Sequence, residues 1–464
     1  MTFCDVGEYL SQQQDLHQAT RQLCLEDVLP DNNHWNKKGR SKVKHFLDHC
    51  LAYQQCMVVA MVLVLGFIQP TCAAMTTSTP VCSVTAFGAL CDGTTDDTGS
   101  IQAALINCTT RQQQITIPPH QTCLSQPLIL YNNTRLHLLN NATLKAGKRW
   151  NDTAFISASR ADNISLTAEP GGTIDGSGKQ WWTGSNKTPG RPPLLVLNLC
   201  TRVWIEGVTI INPAAWTTSL SGKDYHIYNV TIKSPPYSIA PNTDGIDLAV
   251  DGAHVKGCVV ENGDDSICMK SPCHNVLVED SIVRQGNGFV VGTSSNANFS
   301  NITFRNSKAE NTMFGCHVKF KNNQTGHVNN VMFENLTITN PVVYAVGIDQ
   351  NGQEMKQQVG DDNGDGDGND GTNDAHSSVL ISNITFRNIR ATGGLAAGYF
   401  TCNPGQLACQ NISMENVQLL NTAGNQGCSF TNVFGQGIDV SPTSCIPPFK
   451  KVMDTAPGLI LYGY

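Results

Sequence analysis

A short apolar motif recurs along this chain at a nearly fixed interval, and that interval constrains the fold more than any other feature. It reads Asn163-Ile-Ser-Leu166, Gly207-Val-Thr-Ile210, Asn229-Val-Thr-Ile232, Gly257-Cys-Val-Val260, Asp280-Ser-Ile-Val283, Asn301-Ile-Thr-Phe304, Asn330-Val-Met-Phe333, Asn383-Ile-Thr-Phe386 and Asn411-Ile-Ser-Met414. Between the second residues of successive motifs the steps are 44, 22, 28, 23, 21, 29, 53 and 28. The first step is two intervals of 22, and the step of 53 contains a Gly/Asp/Asn-rich insertion between Gly352 and Ser378. Each unit is a β-branched run bounded by turn-forming Asn, Gly or Asp. None carries a 3.6-residue apolar pattern of helical length. Strand repeats of this size bury their apolar side chains only by stacking on their neighbours. The pattern predicts an all-β chain, a right-handed parallel β-helix of about ten coils. The competing architecture, a β-propeller, needs about 40 residues and four strands per blade.

Composition agrees with a large core. Charged residues are 14% and hydrophobic residues 40% of the 464 positions, the opposite of a disordered chain. The net charge of −7 and the lack of a basic stripe exclude nucleic acid as an expected partner. Met57 to Ile68 forms one apolar run of about a dozen residues, short of the roughly 20 that span a bilayer. Lys42, Lys44 and His45 precede it and Cys72-Ala73-Ala74 follow. That is the order of a secretory signal; a single-pass anchor is the alternative. We therefore expect an extension over 1–56, either a long basic region or sequence upstream of a start at Met57. A signal-like segment follows over 57–74. One β-helix domain then fills 75–464, with an acidic insertion over 352–378. The expected protein is secreted, off the membrane once the signal is removed, and monomeric.

Thirteen cysteines follow Ala74, so at least one thiol is left over. Cys108/Cys123, Cys402/Cys409 and Cys428/Cys445 are close enough in sequence to suggest small-loop disulfides. Cys268, Cys273 and His274 hint at zinc, but no second paired set accompanies them, which favours a disulfide or buried thiols. Glycosylation sequons begin at Asn107, Asn132, Asn141, Asn151, Asn186, Asn298 and Asn323. Others, at Asn229, Asn301 and Asn383, fall in expected strands and point to Asn ladders as much as to glycans.

Equivalent positions on successive coils lie about 4.8 Å apart. The repeat thus gathers Asn242-Thr-Asp244, Gly263-Asp264-Asp265, Gly286-Asn287-Gly288 and His317-Val-Lys319 into one strip. Alone, Asn-Thr-Asp-Gly or Gly-Asp-Asp reads as a turn and His-x-Lys as a solvated strand face. Their common phase with the repeat is what marks them. Three carboxylates this close cannot all ionise freely, so at least one is pushed toward its protonated form. A proton donor beside an ionised acceptor is the equipment of glycoside hydrolysis. The coil offset suggests a separation of roughly 6.5–9.5 Å, the inverting range. His317 and Lys319 alternate onto one face and offer groups suited to a substrate carboxylate.

From about Val81 onward the chain resembles the polygalacturonases, glycoside hydrolase family 28. The resemblance rests on Phe87-Gly-Ala89, Asp92-Gly-Thr-Thr-Asp-Asp-Thr98, Ile101-Gln-Ala-Ala104, Gly172-Thr-Ile-Asp-Gly-Ser-Gly178 with Trp181-Trp182, Arg191-Pro-Pro193, and above all the two aspartate motifs. It implies an inverting hydrolase of α-1,4-linked galacturonan in pectin, working without a metal or other cofactor. Asp264 would be the general acid, and Asp244 and Asp265 would hold and activate water. Asn242, Asn287, His317 and Lys319 would bind substrate, with Lys319 matching the family lysine that grips a galacturonate carboxylate. Two positions depart from the family: Asn287 stands where it has His, and His317 where it has Arg. Asn cannot titrate, and His cannot make the bidentate fork of Arg. Three expectations follow: His317 fills the space left at 287, the substrate is another uronan such as rhamnogalacturonan or xylogalacturonan, or the chain is an impaired relative that only binds pectin. A calcium-dependent pectate lyase and a non-enzymatic surface β-helix are the remaining alternatives. In the acidic insertion, Asn363, Asp365, Asp367, Gly368 and Asp374 approach a calcium-loop pattern without flanking helices; a hydrophilic insertion between coils fits better.

Overall fold

The computed structural model describes residues 80–150, 153–182, 190–352, 376–420 and 426–449. The signal-like run, the acidic insertion and the sequons at Asn151 and Asn186 lie outside them. The described residues belong to a compact unit, Ser78–Tyr464. Among the described residues 30 strands join in one continuous sheet, and every strand pairing there is parallel, as in Ile246↔Ile267, Ile267↔Phe289 and Phe289↔Cys316. Strands one repeat apart in sequence are therefore hydrogen-bonded neighbours in space. The fold is a right-handed parallel β-helix.

The inward columns are largely apolar stacks. Phe304, Phe333 and Phe386 lie one above another with ring centroids 5.0 and 5.2 Å apart and planes tilted by only 4° and 8°. Such stacking adds about 0.5–1.5 kcal/mol per pair beyond the area each ring buries. Bends within the long strands are made by asparagines in the left-handed region, among them Asn301 (φ 56°), Asn330 (φ 58°), Asn335 (φ 52°) and Asn388 (φ 52°). Their amides form ladders between coils, for example Asn330 to Asn301 at 2.8 Å and Asn388 to Asn335 at 2.8 Å. Several sequon asparagines, Asn301 and Asn383 among them, thus serve these bends.

One expectation needs correction, and a short helix at the N-terminal end is the reason. A helix, α1 (Thr98–Thr110), closes the N-terminal end, burying Ile101, Ala104, Leu105 and Cys108. The disulfides there are Cys82–Cys108 and Cys91–Cys123 rather than Cys108–Cys123, because α1 turns Cys108 toward the first strand. Cys402–Cys409 and Cys428–Cys445 form as expected. Cys200, Cys258, Cys268, Cys273 and Cys316 are buried free thiols. Cys268 and Cys273 are not bridged, and His274 is engaged with Ser300 Oγ at 2.8 Å, so no zinc set forms with them.

Candidate active site

The site strands lie on one sheet: β1 (Ile246–Lys256), β2 (Ile267–Met269), β3 (Phe289–Gly292), β4 (Phe314–Lys319), β5 (Tyr344–Asp349) and β6 (Ala396–Thr401). Asp244, Asp265 and Asn287 each stand two residues before registered positions of β1, β2 and β3, so they form a column. The turns are tied across coils by Gly245 N–H to Asp265 O at 2.8 Å and Asn287 N–H to Asp264 O at 2.7 Å. Asn262 braces the acidic turn, its amide donating to the carbonyls of Thr243, Asp264 and Asp265 at 3.0, 3.0 and 2.9 Å. Gly288 sits at φ 82°, and a Cβ there would come 2.1 Å from Phe314 O. Glycine is what lets this turn press against the next coil.

One oxygen from each of Asp244, Asp264 and Asp265 lies within 4.8 Å of the others, a tighter cluster than the coil offset suggested. The cause is a set of donors the three share. Asn287 Nδ2 donates to Asp264 Oδ1 and to Asp265 Oδ1, both at 3.0 Å. Lys319 Nζ reaches Asp265 Oδ1 at 2.6 Å. Lys270 Nζ lies 3.1 Å from Asp265 Oδ2, 3.5 Å from Asp244 Oδ2 and 3.7 Å from Asp247 Oδ1. Asn242 Nδ2 donates to Asp264 Oδ2 at 3.3 Å and accepts on Oδ1 from Arg191 at 3.1 Å. Arg191 is anchored in turn on the carbonyls of Pro241 and Ala214, at 2.7 and 3.3 Å.

The surroundings separate the acids. Burial, then the charges of Asp244 and Asp265, push Asp264 well above the usual carboxylate range. Burial and Asp247 raise Asp244 to about 8; burial and Asp265 raise Asp247 to about 7 against the pull of Lys270. Burial alone would raise Asp265 too, but Lys319, Lys270 and the Asn287 amide outweigh it and hold Asp265 well below the usual range. The same pairing raises Lys319 although burial opposes it. A carboxyl that keeps its proton thus sits next to one that stays ionised, the arrangement acid–base chemistry requires.

His317 is 1% exposed. Its ring packs on Phe314 at 4.2 Å and edge-on to Tyr344 at 5.7 Å, and neither nitrogen has a hydrogen-bond partner among the described residues. Burial, then Lys319, lowers its pKa far below the ordinary value. His317 therefore makes no hydrogen bond to the aspartates and does not stand in for the family histidine; Asn287 occupies that position and makes contacts of its own. Lys319, expected on a substrate carboxylate, is bound to Asp265. Asp247, Lys270 and Asn262 were not singled out from sequence. Asp247 had a readable signal, a charged residue between inward Ile246 and Leu248, and Lys270 falls one alternation beyond Cys268.

The chain matches glycosyl hydrolases family 28 over residues 108–445. A polygalacturonase of Persea americana is 25% identical, the match covering 77% of each chain. Among solved structures, the polygalacturonase from Erwinia carotovora ssp. carotovora superposes with TM-score 0.60 at 22% identity, covering 77% of this chain and 96% of that one. An endo-xylogalacturonan hydrolase from Aspergillus tubingensis does so with TM-score 0.60 at 21% identity, over 76% and 98%. By that match, spread over the coils that carry the aspartate turns, the chain belongs to glycosyl hydrolases family 28, a family of glycosidases with the polygalacturonases among its members.

Proposed function

We propose that this chain is a secreted hydrolase of α-1,4-galacturonosyl linkages in pectic chains and that it works with inversion. Asp264 donates a proton to the leaving oxygen. Asp265 is the base that takes a proton from water, and Asp244 helps hold that water. The observation that carries the reading is the opposite displacement of adjacent carboxyls: burial and the neighbouring carboxylates push Asp264 up, while Lys319, Lys270 and the Asn287 amide hold Asp265 down. Asp265 has both oxygens engaged by Lys319, Lys270 and Asn287. A carboxylate so held is poorly free to attack an anomeric carbon, which favours water as nucleophile and a single displacement. Lys270 and Lys319 also fill the acidic cluster with fixed positive charge, which argues against a calcium-dependent elimination there. Four disulfides suit an oxidising compartment, and no helix among the described residues is long and apolar enough to cross a membrane.

The test is reducing-end release from pectic polymers by the wild type and by Asp264→Asn, with NMR on the first-formed anomer. The reading expects the wild type to release the inverted β-anomer and the variant to lose at least a thousandfold in kcat. Equal rates would remove Asp264 from the mechanism, and a retained α-anomer would remove inversion. Binding without cleavage by the wild type would leave an impaired pectin-binding relative.

A further inference from the structure

Another face of the coils carries an exposed ring that the aspartate site does not use. Trp204, on the strand Leu195–Glu206, is 39% exposed. It is registered with His226 one coil on, and His226 with His254 of β1. His254 lies eight residues past Ile246, beyond the bend at Gly252 (φ 85°), and so on a different face from Asp244. On the His226 side Trp204 is packed. Its ring leans on His226 at 4.9 Å and meets Tyr228 edge-on at 5.0 Å, and its Nε1 donates to Glu206 Oε2 at 2.8 Å. On the opposite side its neighbour is small. Trp204 is registered there with Ser165, and Ser165 with Arg135. Trp204 and Arg135 therefore stand two coil spacings apart, roughly 10 Å, with a serine between them. Arg135 is half-buried, and its guanidinium has no ion-pair or hydrogen-bond partner among the described residues.

A lone exposed ring on a protein surface means little. Here the ring is one wall of a slot whose floor is a hydroxyl and whose far wall is an uncommitted guanidinium. An indole offers a large flat apolar face on which the C–H face of a pyranose can lie. A guanidinium grips a carboxylate through two parallel hydrogen bonds. A slot one ring wide with these two walls suits a sugar that carries a carboxylate, whereas a neutral sugar would leave Arg135 without a partner.

We propose that the Arg135–Ser165–Trp204 slot is a second, non-catalytic binding site for one uronate unit of an acidic polysaccharide, with the sugar ring on Trp204 and its carboxylate on Arg135. The proposal rests on the hydrolytic reading above for the identity of the polymer, and it adds a hold on that polymer away from the point of cleavage. Binding at the slot raises the local concentration of chain at the aspartates. It therefore acts on long substrates and not on those too short to reach both places.

The experiment is affinity electrophoresis of the full chain in native gels containing de-esterified galacturonan, in an Asp264→Asn background that keeps the polymer intact. Trp204→Ala and Arg135→Gln are compared with this parent, Trp204→Tyr is the conservative variant, and thermal unfolding checks the fold of each. The parent is expected to be retarded, and Trp204→Ala and Arg135→Gln to bind at least fivefold more weakly. Trp204→Tyr is expected to bind close to the parent. With Asp264 restored, the ratio of kcat/KM on the polymer to that on a trimer is expected to fall at least threefold in Trp204→Ala. Retardation of both weakened variants equal to the parent's, a parent that is not retarded, or an unmoved ratio overturns the slot while leaving hydrolysis intact. If nothing is cleaved but the two variants lose retardation, the hydrolytic reading fails and the slot stands.

Discussion

Replacing Lys319 with methionine tests whether the lysine works through Asp265. The substitution keeps the length of the side chain and removes the charge that sits 2.6 Å from Asp265 Oδ1. Charge centres about 4 Å apart interact by about 4 kcal/mol at an effective dielectric near 20, and breaking a buried pair by deleting one partner costs about 3–5 kcal/mol. Lys270 remains 3.1 Å from Oδ2 and Asn287 3.0 Å from Oδ1, so the lower end, about 3 kcal/mol, is the reasonable figure. That corresponds to a rise of about two pH units in the ionisation of Asp265. The sign is fixed by the direction of the native shift. A carboxyl held below its usual range contributes stability that is complete above its unfolded pKa, about 3.9 for Asp, and is lost as pH falls through the folded value. In Lys319→Met that loss begins at higher pH, and the base is protonated sooner. The assay is kcat/KM against pH on the best pectic polymer, with urea unfolding at pH 6 alongside. The acid limb is expected to move up by about two units, with unfolding easier by about 3 kcal/mol. If activity falls equally at every pH and the acid limb stays in place, Lys319 acts on substrate directly and the clamp argument is wrong.

Three other outcomes follow from the same contacts. In Asp244→Asn, Asp264 loses the negative charge that ranks next to burial in raising it; the alkaline limb of the residual activity should then shift to lower pH, and an unmoved limb would uncouple the two acids. Asp244 and Asp247, raised to about 8 and about 7, add stability that is full below their unfolded values and is lost as pH rises through the folded ones. The Tm should therefore fall by several degrees between pH 5 and pH 9, and a flat or rising profile by scanning calorimetry would contradict the assignment. Phe333→Ala breaks the interior stack between Phe304 and Phe386 and should cost about 3–5 kcal/mol in chemical denaturation; under 1 kcal/mol would mean that the stack is not a single packed column.

That Asp244, Asp264 and Asp265 come together was legible from sequence because a solenoid converts spacing along the chain into height. Once the period is known, residues about one period apart share a column, and only residues able to titrate need be sought in it. The same logic found the Asn ladders. It has no means of finding Lys270 or Arg191, whose importance depends on where a long, flexible side chain ends. Lys270 leaves its strand beyond Cys268 and returns to three carboxylates on two coils, a path set by burial rather than by periodicity. His317 shows the converse. Its place beside Lys319 suggested a polar role, but Phe314 on its own strand and Tyr344 on the next coil enclose the ring. Helix α1 was missed for a different reason, since Ile101, Ala104, Leu105 and Cys108 do carry the i, i+3, i+4, i+7 spacing of a buried helical face. They stand before the first strand repeat, outside the stretch over which the period was read. A repeat predicts what its copies share. The ends of the solenoid and the long side chains that cross between coils are where copies differ, and in this chain those are the capping helix, the Cys82–Cys108 bridge and the two lysines that hold Asp265 ionised.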